Sequence, residues 1–211
     1  MNKKEAFDKL KLLNGVDIRS LAEEYEVTIN KGNKTNKGWF GHVIERYLGL
    51  PINSAQSPNF GSWELKTTTL KILKNGLITP KETLAITMID PFNVKNTTFE
   101  ESHLLSKLKK MLICLRIDIK NNSKLVDVIS FDLDDRKMLH QIKEDYEKIR
   151  ERIANSGFES LTGKMGIIVQ PRTKGAGHGS KTRAFYIRRP ALKNIITEKK
   201  LTEIAKDLYE K

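Results

Sequence analysis

Two kinds of chemistry are missing from this chain at once. It has a single cysteine, Cys114 within "MLICLRI", which excludes an internal disulfide framework and a cysteine-rich zinc site. Its four histidines (His42, His103, His140 and His178) show no metal-ligand spacing and are assigned no catalytic role. No run approaches the roughly 18 consecutive apolar residues of a membrane-spanning helix. The opening "MNKKEAFDKLKLL" is a charged amphipathic helix without an apolar signal core or cleavage site. A prokaryotic cytoplasmic location is the simplest expectation.

The most telling absence is of acid. Between Leu161 and Thr197 there is no Asp or Glu, but there are eight basic residues: Lys164, Arg172, Lys174, Lys181, Arg183, Arg188, Arg189 and Lys193. That segment supplies +8 of the net charge of +12. Such one-sided charge repels itself, and a polyanion relieves it. Nucleic acid is the favoured partner. An anionic membrane fits less well, because these residues fall in strand and loop patterns rather than on a one-sided amphipathic helix.

What is present suits a globular chain of 211 residues, 38% hydrophobic and 30% charged, with one domain as the default and two lobes possible. The patterns predict helices near 3–13 and 17–25, and another in "GWFGHVIERYLGL", where Phe40, Val43, Ile44, Tyr47 and Leu48 share one face. A strand around 63–70 is followed by the turn "LKNG" and then "TLAITMI". A short helix near 100–109 precedes the strands "MLICLRID" and "KLVDVISFDL". The longest helix, near 134–155, buries Met138, Leu139, Ile142, Tyr146, Ile149 and Ile153. Strands "GIIVQ" and "RAFYIR" flank a glycine-rich basic loop before a terminal helix. The fold class is mixed α/β (α+β), with a mixed central sheet flanked by helices.

Three stretches invite chemistry. In "SPNFGSWELKTTTL", Glu64 and Lys66 project from one face of a strand, with Trp63, Leu65 and Thr67 on the other. A carboxylate there can hold Mg²⁺, and an adjacent ammonium can position a water and offset charge on a phosphoryl transition state. Asp118-Ile119-Lys120 has the same spacing, so the pair alone is a weak signal. Glu45 lies in an apolar helix with Gly38 and Gly41 on its own stripe; these glycines would let the helix approach a strand closely. The loop "GAGHGSKT" resembles a phosphate-binding loop, but Ser180 stands where glycine is needed and a strand, not a helix, follows. Nucleotide hydrolysis is therefore rejected.

Taken in order, "NKGWFGHVIERYLGL", "SPNFGSWELKTTTLKILKNG" and "QPRTKGAGHGSKTRAFYIRRPALKNII" resemble the MutH-like branch of the PD-(D/E)xK nucleases. The resemblance spans roughly 36–196. It implies one restriction-endonuclease-like domain over 1–211, with a catalytic lobe near 36–135, a DNA-reading lobe near 160–197 and a DNA cleft between them. It implies Mg²⁺ as cofactor and a catalytic set of Glu45, Asn59, Glu64 and Lys66, in which Glu45, Asn59 and Glu64 are the metal ligands. The family has aspartate where Asn59 stands, and an amide brings no negative charge to Mg²⁺. The expectation is a chain impaired in cleavage, through either an engineered isosteric substitution or natural loss; the retained Glu45, Glu64 and Lys66 favour engineering. Gln170, Arg172, Lys174, Lys181, Arg183, Tyr186 and Arg188 are the expected DNA contacts. The implied function is Mg²⁺-dependent cleavage of a short specific site in double-stranded DNA by a type II restriction endonuclease, monomer favoured. The alternatives are a MutH-type repair nickase and a non-catalytic DNA-binding relic. The "TKGA" run leans toward GATC recognition, with no base assigned to Gln170 or Arg172.

Overall fold

The structure is a computed structural model, and it describes residues 1–49, 58, 61–175 and 181–209. In chain order the elements are α1 (Lys3–Lys11), α2 (Ile18–Glu24), β1 (Asn30–Lys31), β2 (Lys34–Thr35), α3 (Trp39–Tyr47), β3 (Glu64–Ile72), β4 (Ile78–Pro80), β5 (Leu84–Met88) and α4 (Pro91–Asn96). A 3₁₀ turn at Phe99–Glu101 leads to α5 (His103–Leu108), β6 (Lys110–Ile119), β7 (Asn122–Asp132) and α6 (Arg136–Ser156). A second 3₁₀ turn precedes β8 (Val169–Thr173), β9 (Arg183–Ile187), α7 (Arg189–Ile196) and α8 (Glu198–Tyr209). Helix starts are written locally. Asn2 and Glu5 form a reciprocal capping box on α1, while Asp17, Asp90, Ser102 and Asp135 accept backbone N–H groups at the starts of α2, α4, α5 and α6.

The larger sheet has the order β4-β3-β6-β7, with β3 parallel to β6 and the other pairs antiparallel. It is covered on both faces, which is why its central strand β6 reads as the nearly unbroken apolar run "MLICL". Met111, Ile113, Leu115 and Ile117 enter a core with α5, α6, α7 and α8. Leu112 and Cys114 turn the other way, into a core with α1, α2, α3, Trp63 and Leu65. The mixed α+β class and the mixed sheet flanked by helices are as the sequence implied.

A second sheet of order β5-β9-β8 is wholly antiparallel. Residues from the expected catalytic stretch therefore supply the edge strand of the DNA-reading stretch. The register between β5 and β9 slips between Ala85 and Thr87, leaving Ile86 as a bulge.

Three expectations change. The hairpin partner of β3 is the short β4, and "TLAITMI" instead crosses to the second sheet as β5. The strand expected at "GIIVQ" begins only at Val169, because the amides of Ile167, Ile168 and Val169 are taken by the carboxylate of Asp145. The terminal helix divides in two at Thr197, whose φ of 74° interrupts it. Among the described residues, no helix is long and apolar enough to cross a membrane.

Candidate nuclease site and DNA-reading face

Strand parity places Glu64, Lys66 and Leu70 on the face of β3 that looks into the core with α5 and β5. Glu64 is 1% exposed. A buried carboxylate needs partners, and two lysines provide them. Nζ of Lys66 lies 2.7 Å from Glu64 Oε1, and Nζ of Lys107 lies 3.2 Å from the same oxygen. Lys66 also donates to the carbonyl of Ile86 at 2.9 Å, the residue bulged out of the β5–β9 ladder. One ammonium thus joins the carboxylate strand to the edge of the second sheet. Burial pushes the Lys66 pKa below its ordinary value; the Glu64 carboxylate opposes that shift, and the charges of Lys107 and Lys174 reinforce it. Lys174, at the tip of the second sheet, is therefore near enough for its field to reach Lys66.

Lys107 carries no motif and was not singled out in the sequence. A signal for it exists: on α5 it stands beside Leu104 and Leu108, at a position where helical spacing calls for an apolar residue. Glu45 is half-buried on α3, one turn beyond Gly41. A methyl at Gly41 would meet Thr67 Oγ1 at 3.7 Å, so α3 does lie close on β3 at its glycine. That contact is on the face of β3 opposite Glu64 and Lys66. Asn59 lies outside the described residues.

The competing Asp118-Ile119-Lys120 pair is elsewhere. Glu64 is in register with Met111 of β6, and Asp118 is seven residues further on, roughly 23 Å along a strand. Asp118 accepts from Arg116 at 2.8 Å and from Ser123 Oγ at 2.7 Å, bracing the β6–β7 hairpin.

The second sheet sorts the expected DNA contacts by face. Gln170 pairs with Tyr186 and Arg172 with Ala184, so Gln170, Arg172 and Tyr186 share one surface, while Val169, Phe185 and Ile187 enter the core. Arg172 is exposed; it donates to Thr83 Oγ1 at 2.9 Å and lies 5.8 Å from the Tyr186 ring centroid. Burial raises the Tyr186 pKa, against the lowering influence of the Arg172 charge. Lys174 and Lys181 are exposed at either side of the loop. The other three are more enclosed than free contacts would be. Gln170 is 5% exposed. Arg183 donates to the carbonyls of Phe158 and Glu159, and Arg188 to those of Gly163 and Met165. His178 and most of the loop around it lie outside the described residues.

Among the described residues, no cluster of three His, Cys, Asp or Glu side chains could cage a metal ion. Mg²⁺ does not require one, since it keeps several waters and takes one or two carboxylates beside phosphate oxygens. Glu64 fits that demand as a hard oxygen donor.

The sequence model of the family described as "MutH: DNA mismatch repair enzyme MutH" matches residues 48–151, which include Glu64, Lys66 and Lys107. The DNA mismatch repair protein MutH of Shewanella woodyi is 28% identical over 200 residues, covering 87% of this chain and 86% of that one. MutH of Haemophilus ducreyi is 25% identical over 203 residues, covering 88% and 89%. A solved complex of the restriction endonuclease MvaI with its cognate DNA substrate aligns over 97% of both chains, at 13% identity and a TM-score of 0.34. With relatives aligned across nearly the whole length and the family model lying over the carboxylate–lysine strand, the chain is MutH-like, as its three sequence blocks implied.

Proposed function

We propose that this protein is a sequence-specific endonuclease of restriction type, hydrolysing a phosphodiester of double-stranded DNA with Mg²⁺. The observation that carries the reading is the buried Glu64–Lys66–Lys107 cluster, joined through the carbonyl of Ile86 to the sheet that bears Arg172, Lys174 and Tyr186. Phosphodiester hydrolysis needs an oriented water and positive charge where negative charge grows on phosphorus.

Glu64 and Asn59 would hold the metal, which when bound would polarise the phosphoryl oxygens and acidify water; Glu45, on a helix packed against the other face of β3, would join them around the start of that strand. Lys66 holds the attacking water in line; its lowered pKa makes proton exchange with that water easier than for an exposed lysine. The water oxygen bonds to phosphorus as the opposite P–O bond breaks, and the departing sugar oxygen takes up a proton. Lys107, freed from Glu64, offsets charge on the phosphate. Arg172, Lys174, Lys181 and Tyr186 engage the DNA, with Gln170 behind them, while Arg183 and Arg188 brace the loops that flank this face. With asparagine at position 59, cleavage is slow.

A second reading, a nickase of mismatch-repair type, is favoured by the names of the relatives. One assay tests both. Supercoiled plasmid with Mg²⁺ or Mn²⁺ becomes linear under the restriction reading and stops at the open circle under the nickase reading. Unchanged plasmid, even with aspartate restored at position 59, sinks both and leaves a DNA-binding relic.

A further inference from the structure

Asp145 is fully buried on α6, and it is the one acid in that helix's apolar stripe. Its carboxylate accepts four hydrogen bonds. Oδ1 takes the amide of Ile167 at 2.8 Å and Nε2 of Gln141 at 3.3 Å. Oδ2 takes the amides of Ile168 at 2.7 Å and Val169 at 2.8 Å. Three consecutive amides aimed at one carboxylate make a tight concave turn. Gly166 makes that turn possible: its φ is +75°, and a Cβ there would stand 1.8 Å from the Val169 carbonyl oxygen and 3.2 Å from Asp145 Cγ.

The turn is the foot of β8. Arg188 holds the same loop from the other side, through the carbonyls of Gly163 and Met165 and through its own amide to the carbonyl of Ile168. The loop so clamped presses on the DNA-facing surface. A Cβ on Gly163 would lie 3.6 Å from Arg172 Cγ and 3.9 Å from Gln170 Oε1. From α6 the carboxylate fixes the amides of Ile167, Ile168 and Val169, and the strand continues from there directly into Gln170 and Arg172, with Gly163 of the same clamped loop lying beside both side chains.

We infer that Asp145 is a positioning residue for sequence discrimination: by fixing the loop at 163–169, it sets where Gln170 and Arg172 can stand against base edges. This rests on the DNA-reading function proposed above. A bidentate base contact requires both donors within hydrogen-bond reach, so an unsupported Arg172 would still attract phosphate but would discriminate poorly.

The test uses the full chain and two duplexes, one selected from a randomised pool and one scrambled, with binding measured without metal. Asp145→Asn keeps the volume but turns one acceptor into a donor facing backbone donors. It should narrow the affinity gap between duplexes by about tenfold or more, the worth of one base contact, and leave the scrambled-duplex affinity unchanged. Asp145→Glu should restore part of the gap. Should Asp145→Asn fail to fold, Gly163→Val crowds Arg172 from an exposed loop and should narrow the gap in the same way. The Arg172 Nε–H signal by NMR, read without DNA, should show greater mobility in either variant. An unchanged gap and an unchanged Arg172 signal would overturn the inference and leave Asp145 a purely structural anchor. A mobile Arg172 with no gap even in the parent chain would instead overturn the DNA-reading function, while the positioning by Asp145 stands.

Discussion

Lys107 and Glu64 are 43 residues apart in sequence, yet the Lys107 ammonium donates to Glu64 Oε1 at 3.2 Å from a different element. Lys66 holds the same oxygen. A carboxylate of the proposed metal site is therefore pre-engaged by two ammonium groups at one oxygen, and a cation binding there would compete with them for its charge. Removing the carboxylate has a different consequence, since it leaves two enclosed positive charges facing each other.

Glu64→Ala should therefore abolish cleavage and also destabilise the fold, by about 3–5 kcal/mol if the cluster behaves as an ordinary buried pair that has lost one partner. Thermal melting and plasmid cleavage check the two effects separately. Asp118→Ala should leave cleavage intact, because its bonds serve only the β6–β7 hairpin. Cleavage lost with Asp118→Ala but kept with Glu64→Ala would place the catalytic strand elsewhere.

Lys66 gives a pH signature. Its folded pKa lies below the ordinary 10.5, chiefly because it is buried. Between the lowered value and 10.5 the unfolded chain binds more protons at this residue than the folded chain does. The Lys66 contribution to stability therefore rises with pH across that window and is lost as pH falls through the folded pKa. Melting curves of the parent and Lys66→Met should diverge there, with the parent gaining relative to the variant as pH rises. Parallel curves would mean that Lys66 is not held in a desolvated state.

Restoring a carboxylate with Asn59→Asp should raise the cleavage rate by roughly 10²-fold or more, the scale of one preorganised electrostatic group. Initial rates on plasmid with Mg²⁺ measure it. No gain would remove the support for position 59 as a metal ligand.

Arg172 and Lys193 should behave differently. Arg172 is exposed on the shared face with Tyr186, whereas Lys193 sits in the last turn of α7, 3.2 Å from Glu198. Arg172→Ala should cost about 1–3 kcal/mol on a preferred duplex and reduce discrimination. Lys193→Ala should at most lower the salt slope by about one unit, equally on all sequences. Binding titrations across salt separate the two, and equal weakening of both duplexes by Arg172→Ala would make that residue purely electrostatic.

Local physics, legible in residue order alone, determined much of this protein. Alternation placed Glu64 and Lys66 on one face of a strand, and helical spacing marked Phe40, Val43 and Ile44 as the buried stripe of α3. The acid-free segment marked a concentration of positive charge before any fold was considered. Tertiary structure decided what depends on contacts between distant segments. It brought Lys107 to Glu64, moved "TLAITMI" from the β3 hairpin into the second sheet, and delayed β8 to Val169. The same packing turned Arg188 toward loop carbonyls and distinguished Asp145 from every other acid on α6. Periodicity reports which way a side chain faces along its own element. Which partner waits there is set by how the elements stack, and a buried charge stays only where that stacking supplies its counter-charge or its donors.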